Sequence, residues 1–220
     1  MIRLLFFALA VFSSFSLSAK EVSFVTDDQA TIYAEYQKRG SHAVLLAHGA
    51  IFDKESWGKF AQDLLAQNYT VLAIDFRGYG KSTFGKQPRA LYKDILAGVQ
   101  FLKAEQGIRK ITLLGASMGG AAAAKADVYA ASGSIDQLIL LSPASIFQPE
   151  KLSGQLLFIA SEDEHLVTAL RSSFDQAPQP KALKLIAGSA HAQHIFKTSQ
   201  AELLTKIILD FLADKQSKVN

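Results

Sequence analysis

The 220-residue sequence contains no cysteine, so it can form no disulfide and carry no lipid on a cysteine thiol. No apolar run reaches the roughly 20 residues that a membrane-spanning helix needs. Basic and acidic residues nearly balance, 23 against 20, and the lysines and arginines are scattered. The sequence therefore predicts no nucleic-acid surface. Apolar residues make up 49% of the chain, which is typical of a folded globular protein.

The N-terminal segment differs from the rest of the chain. A start with one positive charge precedes an unbroken apolar run over residues 4–12, and small residues then lead to Ala19. This pattern is typical of a secretory signal peptide. We predict that residues 1–19 form one, cleaved after Ser18 or Ala19, and that residues 20–220 form a single periplasmic or secreted domain with no stable membrane insertion. An anchor that stays attached is the alternative.

Short apolar runs alternate with segments of helical spacing along the rest of the chain. The runs, which predict strands buried on both faces, cover residues 43–49, 70–76, 110–115, 137–142, 155–161 and 182–188. The helical segments cover residues 57–65, 91–102, 121–131 and 203–212. This alternation predicts an α/β fold, with a mostly parallel sheet and helices on both faces. Residues 21–37 predict an antiparallel N-terminal hairpin at its edge.

Polar residues follow several of the predicted strands. In a parallel sheet, ligands bind outside the carboxyl ends of the strands, so these residues are candidates for a site. They are His48, Gly49, Asp75, Ser117, Asp163 and His191. This set contains a serine, an acid and a histidine in chain order, which is one of the orders in which hydrolytic triads occur.

Ser117 lies between two glycines in the sequence GASMG, after an apolar run and before an alanine-rich one. Small residues at these positions allow a sharp turn from strand to helix. Such a turn exposes the hydroxyl and directs the first amides of the helix towards it. We predict that Ser117 is a nucleophile. A glycine-rich turn that only permits close helix packing is the alternative.

An acid and a base for this serine are available near the C-terminal strands. A carboxylate can hold the imidazole that takes the serine proton, and Asp163 is predicted for this role, with Glu162 and Glu164 as competitors. The base is predicted to be His191, on the loop after the last strand, and His194 is its competitor.

The segment after the first parallel strand predicts the oxyanion donors. The backbone amide of Ala50, together with that of Met118, is placed to stabilise a tetrahedral intermediate. The apolar side chains of Ile51, Phe52 and Trp57 are candidates for pocket walls, with core packing as the alternative.

These motifs together resemble the α/β-hydrolase family over essentially the whole mature chain. The resemblance is carried by the HG dipeptide at residues 48–49, DFRGYGKS at 75–82, GASMG at 115–119, and the order of Ser117, Asp163 and His191. The DFRGYGKS turn looks structural in that family. Only residues 143–154 separate the fourth parallel strand from the next, which leaves no room for the lid domain of many relatives.

The resemblance implies a serine hydrolase that cleaves a carboxylester or a thioester through an acyl-enzyme intermediate. It implies a small-molecule acyl substrate, and neither a cofactor nor a metal. A peptidase or amidase of the same fold is one alternative, because the same triad cleaves amides. A non-catalytic binding protein is another. The oligomeric state stays open.

Overall fold

The computed structural model describes residues 19–214, so the predicted signal peptide lies outside the described residues except for Ala19. The strands are β1 (Lys20–Val25), β2 (Thr31–Gln37), β3 (His42–Ala47), β4 (Thr70–Ile74), β5 (Lys110–Ala116), β6 (Gln137–Leu141), β7 (Gln155–Ser161) and β8 (Lys181–Ile186). The α-helices are α1 (Gly58–Ala66), α2 (Leu91–Ala104), α3 (Met118–Tyr129), α4 (Val167–Gln176) and α5 (Ala201–Leu212). Short 3-10 helices span Lys54–Trp57, Pro149–Lys151 and Ala192–Lys197. Between residues 19 and 214, no helix has both the length and the apolar character that crossing a membrane requires.

All eight strands belong to one sheet, in the order β1-β2-β4-β3-β5-β6-β7-β8. Strands β3 to β8 pair in parallel, whereas β2 pairs antiparallel with both β1 and β4. The predicted mostly parallel sheet with an antiparallel N-terminal hairpin is confirmed. The carboxyl ends of the parallel strands therefore share one edge, where a site is expected.

Each face of the sheet carries its own hydrophobic core. Along β3, Val44 and Leu46 belong to the core beneath α1 and α5, whereas Leu45 belongs to the core beneath α2 and α3. Successive side chains of a strand point to opposite faces, so a strand covered on both faces must be apolar throughout. This burial explains the continuous apolar runs in the sequence.

The connection between β6 and β7 is short. Residues 142–154 contain one 3-10 turn, Pro149–Lys151, and no further helix. No lid therefore rises from this connection over the carboxyl edge of the sheet, as the sequence predicts.

Candidate active site

Ser117 occupies a tight turn between β5 and α3. Its φ angle is +51°, its N–H donates to the Leu141 carbonyl at 3.0 Å, and its own carbonyl accepts the Ala144 N–H at 2.9 Å. The following helix lies directly against β3, because a Cβ atom on Gly119 would lie 2.2 Å from the Ala47 carbonyl oxygen. A serine with positive φ is unusual, and here its backbone contacts on both sides hold it at the N-terminus of α3.

His191 faces the serine. It lies between β8 and the 3-10 helix Ala192–Lys197, and its Nε2 atom lies 2.8 Å from Ser117 Oγ. The competing histidine, His194, is exposed, and its ring packs against Phe52 at a centroid distance of 5.1 Å. The structure therefore brings His191, and not His194, to the serine.

The acid next to His191 is Glu164 and not the predicted Asp163. His191 Nδ1 donates to Glu164 Oε2 at 2.6 Å, and Glu164 is 4% exposed. Asp163 is exposed, and its backbone N–H donates to Gly188. The physical reason is the turn at residues 162–163 after β7. The side chains of Glu162 and Asp163 are exposed to solvent in this turn, whereas that of Glu164 is buried.

These contacts fix the tautomer of His191. An ionised carboxylate only accepts hydrogen bonds, so Nδ1 carries the proton and the unprotonated Nε2 accepts from the Ser117 hydroxyl. This is the protonation state that a base needs before it removes the serine proton. His165 lies beside the pair, with its ring centroid 5.7 Å from that of His191.

The loop after β3 passes close to Ser117. A Cβ atom on Gly49 would lie 3.5 Å from Ser117 Cβ, so Gly49, the residue before Ala50, lies next to the serine. The Met118 amide begins α3. Among residues 19–214, neither the Ala50 amide nor the Met118 amide donates to a backbone carbonyl outside helix α3. The role of these two amides as oxyanion donors stays a prediction.

The buried side chain of His48 holds the loop after β3 through two hydrogen bonds. It is fully buried, its Nδ1–H donates to the Gly49 carbonyl at 2.8 Å, and its Nε2 accepts the Phe76 N–H at 3.2 Å. Burial lowers the pKa of His48. The neutral imidazole that results is the form that can accept from Phe76.

Three buried ion pairs hold the segment DFRGYGKS. Asp75 accepts the backbone N–H of Lys54 at 2.9 Å and its ammonium at 2.7 Å. Although burial opposes it, hydrogen bonds to Asp75 and Glu55 raise the pKa of Lys54. These contacts join the end of β4 to the 3-10 helix Lys54–Trp57, which follows the loop after β3.

Arg77 forms the other two of these pairs. Its buried guanidinium donates to Asp28 at 2.8 and 3.0 Å and to Asp94 at 2.6 and 2.8 Å. The hydrogen bonds from Arg77 hold the pKa of Asp28 well below its ordinary range. Arg77 therefore joins the β1–β2 hairpin to α2, a contact that supports the structural role that the family resemblance implies for the segment.

The predicted wall residues do not enclose one pocket around Ser117. Phe52 and Trp57 line a groove of about 750 Å³ between α1 and α5, and Ser117 is not part of its lining. Ile51 is 78% exposed. Trp57 is buried in the core beneath α1 and α5, which agrees with the core-packing alternative. No group of three or more metal-binding side chains occurs within residues 19–214.

A buried glutamine that sequence reasoning missed also reaches the site. Gln193 accepts the Gly49 N–H on its Oε1 atom at 2.7 Å and donates to Ser56 Oγ at 2.8 Å. The sequence alone could not indicate this contact, because no motif links Gln193 to Gly49 along the chain.

Comparisons with known proteins identify the family and the fold of the chain. A family model described as serine aminopeptidase, S33, matches residues 38–161, more than half of the chain. An uncharacterised protein of Mycobacterium tuberculosis is 35% identical over 107 residues, which are 47% of this chain and 30% of that protein. The chain thus matches less than a third of the length of this relative.

Two solved esterases share the fold. An esterase of Pyrococcus furiosus superposes with a TM-score of 0.78 at 20% identity and covers 90% of this chain and 92% of its own. An esterase from Exiguobacterium antarcticum superposes with a TM-score of 0.76 at 15% identity over 88% of this chain and 100% of its own. At these identities the likeness supports the fold.

Proposed function

Because the chain belongs to the serine aminopeptidase S33 family of α/β hydrolases, we propose that it is a serine hydrolase that cleaves a carboxylester or a thioester. The observation that carries the proposal is the chain of contacts from Ser117 Oγ through His191 to Glu164, at 2.8 and 2.6 Å. A hydroxyl, an imidazole and a carboxylate in this order can generate an alkoxide-like nucleophile near neutral pH.

In the first step, Ser117 Oγ attacks the carbonyl carbon of the substrate while His191 Nε2 takes its proton. The negative charge that develops on the carbonyl oxygen is stabilised by the Ala50 and Met118 amides and by the N-terminus of α3. Glu164 holds the imidazolium. His191 then gives its proton to the leaving alcohol or thiol, and the acyl group stays on Ser117.

In the second step, water attacks the acyl-enzyme. His191 takes a proton from the water, the same amides stabilise the second tetrahedral intermediate, and the proton returns to Ser117 Oγ as the bond to the acyl group breaks. The products are a free acid and the regenerated enzyme. Because no lid rises from residues 142–154, the site suits small or flexible acyl substrates.

The test of this proposal is intact-mass labelling with a fluorophosphonate, with Ser117→Ala alongside the wild type. We expect one adduct that maps to Ser117 and that the variant lacks. Ser134→Ala, at a buried serine that interacts with Lys103 away from the site, is the matched control and should label as the wild type does. A folded wild-type protein without an adduct would overturn the proposal and favour a non-catalytic binding protein.

Amide hydrolysis is the second candidate, and the description of the matching family as a serine aminopeptidase favours it. The two candidates differ in the leaving group that the site accepts. Turnover of an aminoacyl-p-nitroanilide at a kcat/KM similar to that of the matching p-nitrophenyl ester would identify a peptidase. Turnover of the ester alone would support the proposed function.

A further inference from the structure

Gln193 is a buried side chain that joins the loop of His191 to the loop of Gly49. It is 3% exposed, and its hydrogen bonds to Gly49 and Ser56 connect residues 144 and 137 positions apart in the sequence. Its Oε1 atom must be the group facing Gly49, because a backbone N–H needs an acceptor. The chain turns towards Gly49 at Ala192, whose φ is +52° and whose N–H donates to Ser142 Oγ at 3.2 Å.

Gly49 needs such contacts more than another residue would. Without a Cβ atom, glycine has wide backbone freedom, so its neighbours must fix both of its peptide planes. The preceding plane is held by the bond from Gly49 N–H to Gln193. The following plane is held at the Gly49 carbonyl, which accepts from His48 Nδ1 at 2.8 Å and from the Phe52 N–H at 3.0 Å.

The second of these planes contains the Ala50 amide. In a planar trans peptide, the N–H points away from the carbonyl of the preceding residue. Because the Gly49 carbonyl is directed at His48 and Phe52, the Ala50 N–H is directed to the opposite side. Its direction depends on the torsion angles of Gly49, which Gln193 limits from the other end.

We propose that Gln193 is a positioning residue, which holds Gly49 so that the Ala50 amide keeps a fixed direction relative to His191. This inference rests on the proposed function, since the direction matters only where an oxyanion forms at Ser117. Without the bond, the Ala50 amide loses alignment with a charge that exists only in the transition state. The chemical step then slows, and substrate binding changes little.

The experiment compares Gln193→Met with Gln137→Met. Methionine has a similar length and lacks the strong acceptor. For Gln193→Met we expect kcat on p-nitrophenyl acetate and the rate of fluorophosphonate labelling to fall about tenfold to a hundredfold, with KM changed by less than about twofold.

Gln137 is the matched control, because it is also a buried amide, but lies at the opposite edge of the sheet, where it bonds to Thr112 and Gln155. We expect Gln137→Met to lower the melting temperature while kcat and the labelling rate stay at their wild-type values.

Wild-type kcat and labelling rate in a folded Gln193→Met variant would overturn the inference, because Gln193 would then act only on stability. If the methionine variant does not fold, Gln193→Asn makes the same comparison, since its amide is one methylene too short to reach Gly49. Failure of the wild type to label at Ser117 would overturn the proposed function instead, and the inference with it. Labelling of the wild type is therefore measured first, because it tests the proposed function before the variants test the role of Gln193.

Discussion

The carboxylate beside His191 is almost fully excluded from water. Glu164 is 4% exposed, and its Oε1 atom has no hydrogen-bond partner among residues 19–214. A buried charge with few partners is costly, and the nearest group that can offset it is the imidazole of His191. The imidazole carries a positive charge that offsets the charge of the carboxylate only when it is protonated. In the proposed mechanism, Glu164 therefore stabilises the imidazolium that forms during attack.

Glu164→Gln should lower kcat by about a thousandfold to ten-thousandfold, because the amide NH₂ can donate to Nδ1 and so favour the wrong tautomer of His191. Asp163→Asn should stay within about twofold of the wild type, since its side chain is exposed and the carboxylate bonded to His191 is that of Glu164. Steady-state kinetics on one activated ester measures both. A large loss in Asp163→Asn with none in Glu164→Gln would restore the acid predicted from sequence.

Among the elements, the junction of β5 and α3 sets the position of Ser117. A Cβ atom on Gly119 would lie 2.2 Å from the Ala47 carbonyl and 2.6 Å from that of His48. Both neighbours are backbone atoms of β3 and its loop, which cannot rotate away as a side chain can. The helix must therefore shift if the glycine is replaced, and the Met118 amide shifts with it.

Gly119→Ala should destabilise the protein by about 3 kcal/mol and slow ester hydrolysis. Gly107→Ala is the control, because Gly107 has φ +89° and no atom within 4 Å of an added Cβ. It should cost only about 1 kcal/mol, from the unfavourable φ, and leave kcat unchanged. Urea unfolding and kinetics on the same preparations measure both. Equal stability losses in the two variants would contradict the predicted steric clash.

Helix α3 also holds the short connection that replaces a lid. Asp127, near the end of the helix, accepts the Ser153 N–H at 2.7 Å. Burial raises the pKa of Asp127 from its ordinary value of 3.8 to about 6. Above pH 6 the carboxyl is ionised in both the folded and the unfolded protein, so the folded state bears the full cost of a buried charge. That cost disappears as the pH falls from 6 towards 3.8, because the folded state then takes up the proton.

Asp127→Asn should therefore raise the free energy of unfolding at pH 8 by up to about 3 kcal/mol, and the gain should shrink as the pH falls from 6 to 4. The asparagine carbonyl can still accept from Ser153. Asp175→Asn, at an exposed position on α4, should change stability by less than about 0.5 kcal/mol at either pH. Denaturant titrations at pH 8 and pH 4 compare the variants. A gain that is the same at both would exclude the raised pKa as its cause.

Over the whole molecule, the features that repeat along the chain could be predicted from sequence. The apolar runs match β3 to β8 within one or two residues at each end, because a strand buried on both faces admits few polar side chains. The shared carboxyl edge then follows from parallel pairing. That edge is sufficient to place Ser117 and His191 as neighbours.

The features that depend on a single turn could not be predicted. Whether residue 163 or 164 faces His191 depends on the turn after β7, and adjacent residues of a turn point in different directions. The contact of Gln193 with Gly49 depends on the positive φ of Ala192. Alanine rarely has a positive φ, so an alanine at this position does not predict such a turn from the sequence.

Export concerns the full-length chain. The apolar run at residues 4–12 supports the proposal that residues 1–19 direct export. In bacteria expressing the full sequence, we expect the periplasmic or secreted protein to begin at Ala19 or Lys20, as measured by intact mass. Ala8→Asp should leave the uncleaved chain inside the cell, because a charge in the middle of the apolar run costs about 3 kcal/mol on insertion. Lys20→Arg should be processed normally. An exported protein that keeps Met1 would instead support the retained anchor, and the Ala8→Asp chain would then lose its membrane attachment.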